Sequence, residues 1–321
     1  MGDPSGIGPE VVLKTLLHRT KHARKSSVDY VVIGDRGVLR AAASRCSRSL
    51  VRFLDTLPTC ISLIDLHNVD IPKFRFGCSK PEYGRASIEY LDAVMDMISE
   101  ASVDCLVTGP ICKESINTAG YKYGGHTEYF AERSGVRDVV MMLMNRNLKF
   151  SLVTRHIALS RVSKKLNPVL IQKTIISSAD AFKKLFAVPS PRIVICGLNP
   201  HASDNGVIGT EENEVIFPAV KNISLKKTVI DGPLPADIAV WKAFQGYYDC
   251  VIAMFHDQAL IPLKLTGAES GVNMTLGLPF VRTSPLHGTA FDIAGCGKAD
   301  PSSFIAALTC AEECTRNLKK D

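Results

Sequence analysis

The sequence of 321 residues is 46% hydrophobic and 22% charged, which is typical of a globular protein long enough to form two cores. It has no apolar run of the about 20 residues that a membrane-spanning helix needs and no signal-peptide pattern, so we expect a cytoplasmic protein without membrane contact. The formal net charge of +6 comes without a nucleic-acid-binding motif, which disfavours nucleic acid as a partner and suits an anionic small molecule.

Apolar runs alternate with helical patterns along the chain, which predicts an α/β fold with mainly parallel strands. The predicted strands are Tyr30–Gly34, Cys105–Thr108, Val139–Leu143, Phe150–Thr154, Arg192–Cys196 and Cys250–Phe255. The predicted helices are Pro9–Leu17, Ala86–Ser99, Pro168–Leu185 and Ser302–Asn317. Several of the 10 cysteines fall in apolar runs, as Cys196 and Cys250 do, and these are interpreted as buried, reduced thiols.

The chain opens with GDPSGIGPE (residues 2–10), which is typical of a loop entering a helix, with Pro9 suited to the first turn. Such a loop normally follows a strand. Only Met1 precedes it here, so we expect the first strand of the fold to be missing from this sequence.

Three histidines follow three apolar runs: His156 after FSLVTR, His201 after RIVICGLNP and His256 after VIAMF. Because ligands of open α/β sheets gather at the carboxyl ends of the strands, the three imidazoles could converge there on one divalent metal ion. A single histidine at a strand end is more often a polar cap, and the spacing forms no compact local motif. Asp257, directly after His256, adds a carboxylate to the same place.

Two further segments indicate an anion site. YGGHTEYF places His126 and Thr127 after two glycines, at the start of a predicted helix whose N–H groups favour phosphate; the alternative is that Thr127 only caps the helix. Lys264, Asn273 and Arg282 lie in or near GVNMTLGLPFVRTS, which is interpreted as a binding loop, although each alone is more often a solvated surface residue.

No GxGxxG occurs in the chain, so the usual Rossmann fingerprint is absent. The segment HGTAFDIAGCGKADP (residues 287–301) nevertheless resembles the loop that carries part of the NAD(P) site in isopropylmalate and isocitrate dehydrogenases.

Taken together, the motifs resemble the 4-hydroxythreonine-4-phosphate dehydrogenase family of pyridoxal phosphate synthesis. The matching stretches include VTGPICKESINTAG, GHTEYF, VTRHIAL, CGLNPHA, GTEE, DGPLPAD, FHDQALIPLK and HGTAFDIAGCGKAD, in the order of the family. The resemblance implies a two-domain isopropylmalate-dehydrogenase-like fold, with mainly parallel sheets flanked by helices, that acts as a homodimer. We expect residues 1–125 and 271–321 to form the nucleotide-binding domain and residues 126–270 the metal, substrate and dimerisation domain.

The resemblance also assigns roles. The metal ligands are His156, His201 and His256, with one supplied by the partner subunit; zinc is expected, or magnesium, cobalt or manganese. The residues that hold the phosphorylated substrate are His126, Thr127, Lys264, Asn273 and Arg282. The nucleotide contacts are His287, Gly288 and Asp292. Asp237 and Asp257 are carboxylates near the metal, and Lys113, Asp257 or a metal-bound water could act as the base.

The implied reaction is the oxidation by NAD(P) of the secondary alcohol of 4-phosphohydroxy-L-threonine. The β-keto acid formed then loses carbon dioxide to give 3-amino-2-oxopropyl phosphate. A related dehydrogenase acting on 4-phospho-threonate or a phospho-erythronate would carry the same residues. A three-histidine zinc hydrolase and a non-catalytic binding protein are the remaining alternatives.

Overall fold

The structure is a computed structural model that describes residues 1–22 and 28–320. The helices are α1 (Gly8–His22), α2 (Arg36–Cys46), α3 (Arg48–Asp55), α4 (Pro81–Ser99), α5 (Lys113–Thr118), α6 (His126–Arg133), α7 (Val162–Lys165), α8 (Pro168–Lys184), α9 (Phe217–Lys221), α10 (Ala236–Phe244), α11 (His256–Gly267) and α12 (Ser302–Leu318). The strands are β1 (Tyr30–Gly34), β2 (Ile61–Asp65), β3 (Cys105–Val107), β4 (Val140–Met144), β5 (Lys149–Leu152), β6 (Arg192–Cys196), β7 (Val229–Leu234), β8 (Cys250–Ala253), β9 (Val272–Leu276) and β10 (Val281–Pro285). Within these described ranges, no helix combines the length and hydropathy needed to cross a bilayer.

The chain divides into two compact units. Unit 1 comprises Met1–Gly135 and Thr283–Leu308, and unit 2 comprises Val136–Arg282 and Thr309–Asp321. The units meet at residues 135/136 and 282/283, and the sequence predicts boundaries at 125/126 and 270/271. Residues 309–321 belong to unit 2, and the sequence predicts them in the nucleotide-binding domain.

Unit 1 contains the parallel pair β1–β2, with Tyr30 beside Ile61 and Gly34 beside Asp65. One part of its core is formed by apolar side chains of α1, α3, β2, α12 and the segment that precedes α12. The buried members of this cluster are Ile7, Val11, Val12, Leu16, Phe53, Ile61, Ala294, Ala299 and Phe304.

Unit 2 is built on a mixed sheet in the order β9–β4–β5–β8–β6–β7. The strands β5, β8, β6 and β7 are parallel, whereas β4 is antiparallel to β5 and β9. The central strand β8 is completely buried from Cys250 to Ala253, as expected for a strand covered on both faces. Burial also raises the pKa of the Cys196 and Cys250 thiols to about 12, so both stay protonated.

The predicted α/β class with mainly parallel strands is confirmed, and β1 and β6 have the predicted ends. The interpretation of GVNMTLGLPFVRTS as a binding loop is wrong, because this segment forms β9 and β10 joined at residues 277–280. Its apolar side chains alternate with Asn273, Thr275 and Arg282, and this period of two is the pattern of a strand. The helix α11 was not predicted, since Pro262 lies within it.

The side chain of Asn145 joins the β4–β5 connection to α11. Its Oδ1 accepts hydrogen bonds from the N–H groups of Asn147 and Leu148, both at 2.9 Å. Its Nδ2 donates to the Leu263 carbonyl oxygen at 3.0 Å and to Thr266 Oγ1 at 2.8 Å. Asn145 is only 5% exposed, so water cannot replace these bonds.

Replacing Asn145 by alanine would therefore remove the acceptor of the buried Leu148 N–H and of the partly buried Asn147 N–H, and a donor to the buried Leu263 carbonyl oxygen. We expect the free energy of unfolding to fall by about 2–3 kcal/mol, measured by denaturant titration. Asn147→Ala is the matched control, because its side chain makes one exposed bond to the Thr266 carbonyl oxygen and should cost under about 1 kcal/mol. Equal losses in the two variants would contradict the role given to Asn145.

Candidate active site

The carboxyl ends of four parallel strands lie at one edge of the sheet of unit 2. His156 follows β5, His256 follows β8, His201 follows β6 and Asp237 follows β7. Ligands of α/β sheets bind at such an edge because the strands end there and the connecting loops carry polar side chains. Four of the predicted metal-site residues are thus delivered to the same edge.

Two of the histidines lie side by side. The ring centres of His156 and His256 are 5.8 Å apart, and the ring planes are inclined by 46°. The backbone of His156 has φ 42°, a left-handed conformation that non-glycine residues adopt at a cost. An ion bound at about 2.0–2.1 Å to one nitrogen of each ring would place the ring centres roughly 5–6 Å apart, so the pair fits a shared metal ion.

Asp257 orients one of these rings. Its Oδ1 lies 2.7 Å from Nδ1 of His256, and its side chain is 67% exposed. A carboxylate on one ring nitrogen fixes the proton there and leaves the lone pair of Nε2 for a ligand. The contact therefore suits a metal-binding imidazole.

His201 lies in an unusual turn. Residues 201–205 all have positive φ, between 45° and 71°, and form a left-handed turn within the segment Pro200–Gly206. In the part of the chain that the structure describes, no three or more His, Cys, Asp or Glu side chains are grouped so that they could hold one ion. One chain by itself therefore brings together His156 and His256 but not all three histidines.

The segment that carries His201 is held by two residues for which sequence reasoning gave no role. Glu212 is 2% exposed and accepts hydrogen bonds from the N–H groups of Leu198 and Asn199, both at 2.7 Å. Gln258 donates from Nε2 to the Gly197 carbonyl oxygen at 2.8 Å. The stretches GTEE and FHDQ contained both residues, but nothing in the sequence showed which backbone groups they would meet.

Lys113, the third candidate for proton transfer, lies in unit 1 at the exposed start of α5. Glycine has no Cβ, but a Cβ added to Gly125 would lie 3.7 Å from Cε of Lys113. Gly125 has φ 156° and caps α6, so Lys113 lies beside the turn that precedes His126. Asp237 is exposed in the first turn of α10, in unit 2.

The predicted helix over the anion segment is confirmed as α6. Gly125 and not Thr127 occupies the capping position, and Thr127 is 5% exposed within the first turn. The ring of His126 stacks on Phe130 at 6.1 Å. Tyr129 fixes the helix by donating to Asp92 on α4 at 2.6 Å, so His126 and Thr127 stand on a restrained helix end.

The other residues that are predicted to bind the phosphate lie in unit 2, and their side chains differ in exposure. Lys264 is exposed on α11 and Asn273 is half-buried on β9. Arg282 is 1% exposed, and its Nη1 donates to Thr275 Oγ1 at 3.1 Å. It lines a pocket of about 290 Å³ together with Thr275 and Lys184. A guanidinium so well buried is held in one orientation, which suits recognition of an oxyanion.

The nucleotide-loop candidates lie in unit 1. Nδ1 of His287 lies 3.1 Å from the Gly288 carbonyl oxygen, and its buried Nε2 has no hydrogen-bond partner among the described residues. Burial lowers the pKa of His287 below its usual range, which favours the neutral ring. Asp292 is exposed. The loop packs on the chain start, where Ile7 N–H donates to the Thr289 carbonyl oxygen at 3.0 Å.

Comparison with known proteins identifies the family. Residues 26–311 match the family described as pyridoxal phosphate biosynthetic protein PdxA. The chain belongs to this family. It is 42% identical over 318 residues to a 4-hydroxythreonine-4-phosphate dehydrogenase of Sulfurihydrogenibium sp., covering 97% of this chain and 95% of that protein.

Two further PdxA relatives bear on substrate and fold. A D-threonate 4-phosphate dehydrogenase of Cupriavidus necator is 39% identical, over 96% of this chain and 93% of that protein. The crystal structure of 4-hydroxythreonine-4-phosphate dehydrogenase from Klebsiella pneumoniae is similar with a TM-score of 0.84 at 34% identity, covering 98% of this chain and 96% of that one. The predicted family is confirmed, and so is the predicted enzyme class, because these relatives are named dehydrogenases.

The burial of His287 makes stability depend on pH. The unfolded chain binds a proton at this ring near pH 6.5, and the folded chain does so only at lower pH, so stability is lost as the pH falls below about 6.5. We expect His287→Gln to reduce the loss of unfolding free energy between about pH 7.5 and about pH 5.5. His67→Gln is the matched control, since that ring is 82% exposed. An unchanged loss in His287→Gln would show that this ring does not titrate as stated.

Proposed function

We propose that this chain oxidises 4-phosphohydroxy-L-threonine with NAD(P) in pyridoxal phosphate synthesis. The β-keto acid formed loses carbon dioxide and gives 3-amino-2-oxopropyl phosphate. Membership of the PdxA family supports the pathway, and the relative from Sulfurihydrogenibium supports the substrate. The observation that carries the proposal is the pairing of His156 with His256 at the carboxyl edge of the sheet.

His156 and His256 are the proposed metal ligands of this edge, with His201 as the third imidazole. A divalent ion, zinc by preference, would act there as a Lewis acid that lowers the pKa of the substrate hydroxyl. One of the three imidazoles is proposed to come from the partner subunit of a homodimer, since the described residues of one chain do not group three such side chains.

Asp257, Lys113 and Asp237 are the proposed proton-handling groups. Asp257 contacts the ring of His256 and is also exposed, so it can orient the ring and accept a proton at its second oxygen. Lys113 and Asp237 are exposed at the starts of α5 and α10. Their exposure lets each exchange protons with solvent.

Five residues are proposed to bind the phosphorylated substrate. His126 and Thr127 lie at the start of α6, where helix N–H groups favour an anion. Lys264, Asn273 and Arg282 are the others, and the buried guanidinium of Arg282 supplies a fixed positive charge. The nicotinamide cofactor, which accepts the hydride, is assigned to His287, Gly288 and Asp292.

A homodimer is supported by apolar side chains on the surface of unit 2. Trp241 on α10 is 56% exposed, Tyr247 after this helix is 60% exposed, and Leu265 on α11 is 82% exposed. Aromatic side chains such as those of Trp241 and Tyr247 are enriched at protein–protein interfaces.

We place the enzyme in the cytoplasm, as expected for this biosynthetic activity.

D-threonate 4-phosphate is the second candidate substrate. The relative from Cupriavidus necator is nearly as similar to this chain as the first, at 39% against 42% identity. The two acids differ at the second carbon, which carries an amine in one and a hydroxyl in the other. The residues proposed to bind the metal ion and the phosphate group would have the same roles with both acids.

Formation of NADH or NADPH should follow addition of either phosphorylated acid, with the higher kcat/KM for 4-phosphohydroxy-L-threonine. The measurement is absorbance of the reduced nicotinamide, with each substrate alone and after removal of divalent ions by a chelator. We expect chelation to reduce the rate at least about 100-fold, because the hydroxyl then keeps its usual pKa, and zinc to restore it.

His256→Ala and His67→Ala complete this test. The first variant removes a proposed ligand and should lose turnover while keeping its unfolding temperature in the absence of metal. The second removes an exposed histidine of unit 1 and should remain active. Full turnover after complete metal removal would contradict the metal assignment, and a higher kcat/KM for D-threonate 4-phosphate would replace the first substrate by the second.

A further inference from the structure

The His201 loop, defined as residues Gly197–His201, connects the end of β6 to the left-handed turn. Glu212 holds it from one side: Oε1 accepts from the Leu198 and Asn199 N–H groups at 2.7 Å, and Oε2 accepts from Asn199 Nδ2 at 2.9 Å. Hydrogen bonds to a buried carboxylate are stronger than those between neutral groups. Glu212 therefore fixes two successive peptide groups.

Gln258 holds the same loop from the other side. Its Oε1 accepts from the Met254 N–H at 2.7 Å, and its Nε2 donates to the Gly197 carbonyl oxygen at 2.8 Å. Met254 directly follows β8, and His256 lies between Met254 and Gln258 in the chain. One amide side chain thus ties the turn that carries His256 to the loop that carries His201.

The two contacts meet at one peptide unit. The carbonyl group of Gly197 accepts from Gln258, and the N–H of the same peptide, which belongs to Leu198, donates to Glu212. A peptide group bonded at both ends can neither rotate nor shift without losing a partly buried hydrogen bond. The left-handed residues that follow need such restraint, because their backbone conformation is costly.

We propose that Glu212 and Gln258 are positioning residues that fix the His201 loop relative to the turn carrying His256. This inference rests on the proposed function, because its purpose is to present His201 to a metal ion. Neither residue is among the proposed ligands or proton-handling groups. Groups that orient metal ligands from outside typically change metal affinity or activity 10- to 100-fold when they are replaced.

The test uses zinc affinity of the metal-free full-length protein, measured by competition with a chromophoric chelator. Glu212→Gln replaces one carboxylate oxygen by an amide N–H₂ group, which then faces an N–H donor of Leu198 or Asn199. Gln258→Met removes the hydrogen bonds to Met254 and Gly197 while keeping the side-chain length. We expect zinc to bind about 10- to 100-fold more weakly to both variants.

Matched controls carry the same changes elsewhere in unit 2. Glu214→Gln alters an exposed carboxylate two residues beyond Glu212. Gln172→Met removes a comparable bond from Nε2 to the Ala219 carbonyl oxygen at 3.1 Å. Both controls should bind zinc like the wild type. If Glu212→Gln does not fold, Gln258→Met decides the test, because Gln258 is only half-buried.

Wild-type zinc affinity in Glu212→Gln and Gln258→Met would overturn the proposal. If the wild type itself binds no divalent ion, the proposed metal function fails, and the positioning role is then judged by hydrogen–deuterium exchange of residues 197–206. Faster exchange there in the two variants than in their controls supports the role, and unchanged exchange overturns it.

Discussion

The parallel pairing of β5, β8, β6 and β7 is the constraint on which the rest of the site depends. Parallel strands end at the same edge, so residues far apart in the chain are delivered to one place without a local motif. His156, His201, Asp237 and His256 span about a hundred residues of sequence, yet each follows one of these four strands. The buried, apolar strands thus determine where the polar chemistry of unit 2 is located.

The strands bring the side chains to one edge of the sheet, but they do not fix the orientation of each side chain. Contacts outside the strands fix that orientation. Asp257 fixes the ring of His256, and Glu212 and Gln258 fix the backbone before His201. These contacts are short, at 2.7–2.8 Å, and those of Glu212 and Gln258 are partly shielded from solvent. Rigid support matters because a metal or a reacting hydroxyl tolerates little error in ligand geometry. The left-handed backbone at His156 and His201 is consistent with a site where local strain is retained for function.

Much of this arrangement could be predicted from the sequence. The strands β1 and β6 were placed with their observed ends, because their apolar runs are uninterrupted and stop at polar residues or glycine. The strand β7 was missed, since Val229–Leu234 contains Gly232 and Pro233 and is partly exposed. The segment of β9 and β10 has the composition of a loop, because polar side chains alternate with apolar ones and a turn rich in Gly and Pro joins the two strands. The roles of Glu212 and Gln258 depend on partners 13 to 61 residues away in sequence, and composition contains no signal for such partners.

The central claim is that histidines following these strands hold a catalytic metal ion. X-ray absorption spectroscopy of the zinc-loaded protein tests it most directly, because it reports the ligand atoms and their distances. We expect three imidazole nitrogens at about 2.0–2.1 Å, with oxygen completing the coordination shell. A shell containing sulfur, or one with a single imidazole or none, would contradict it.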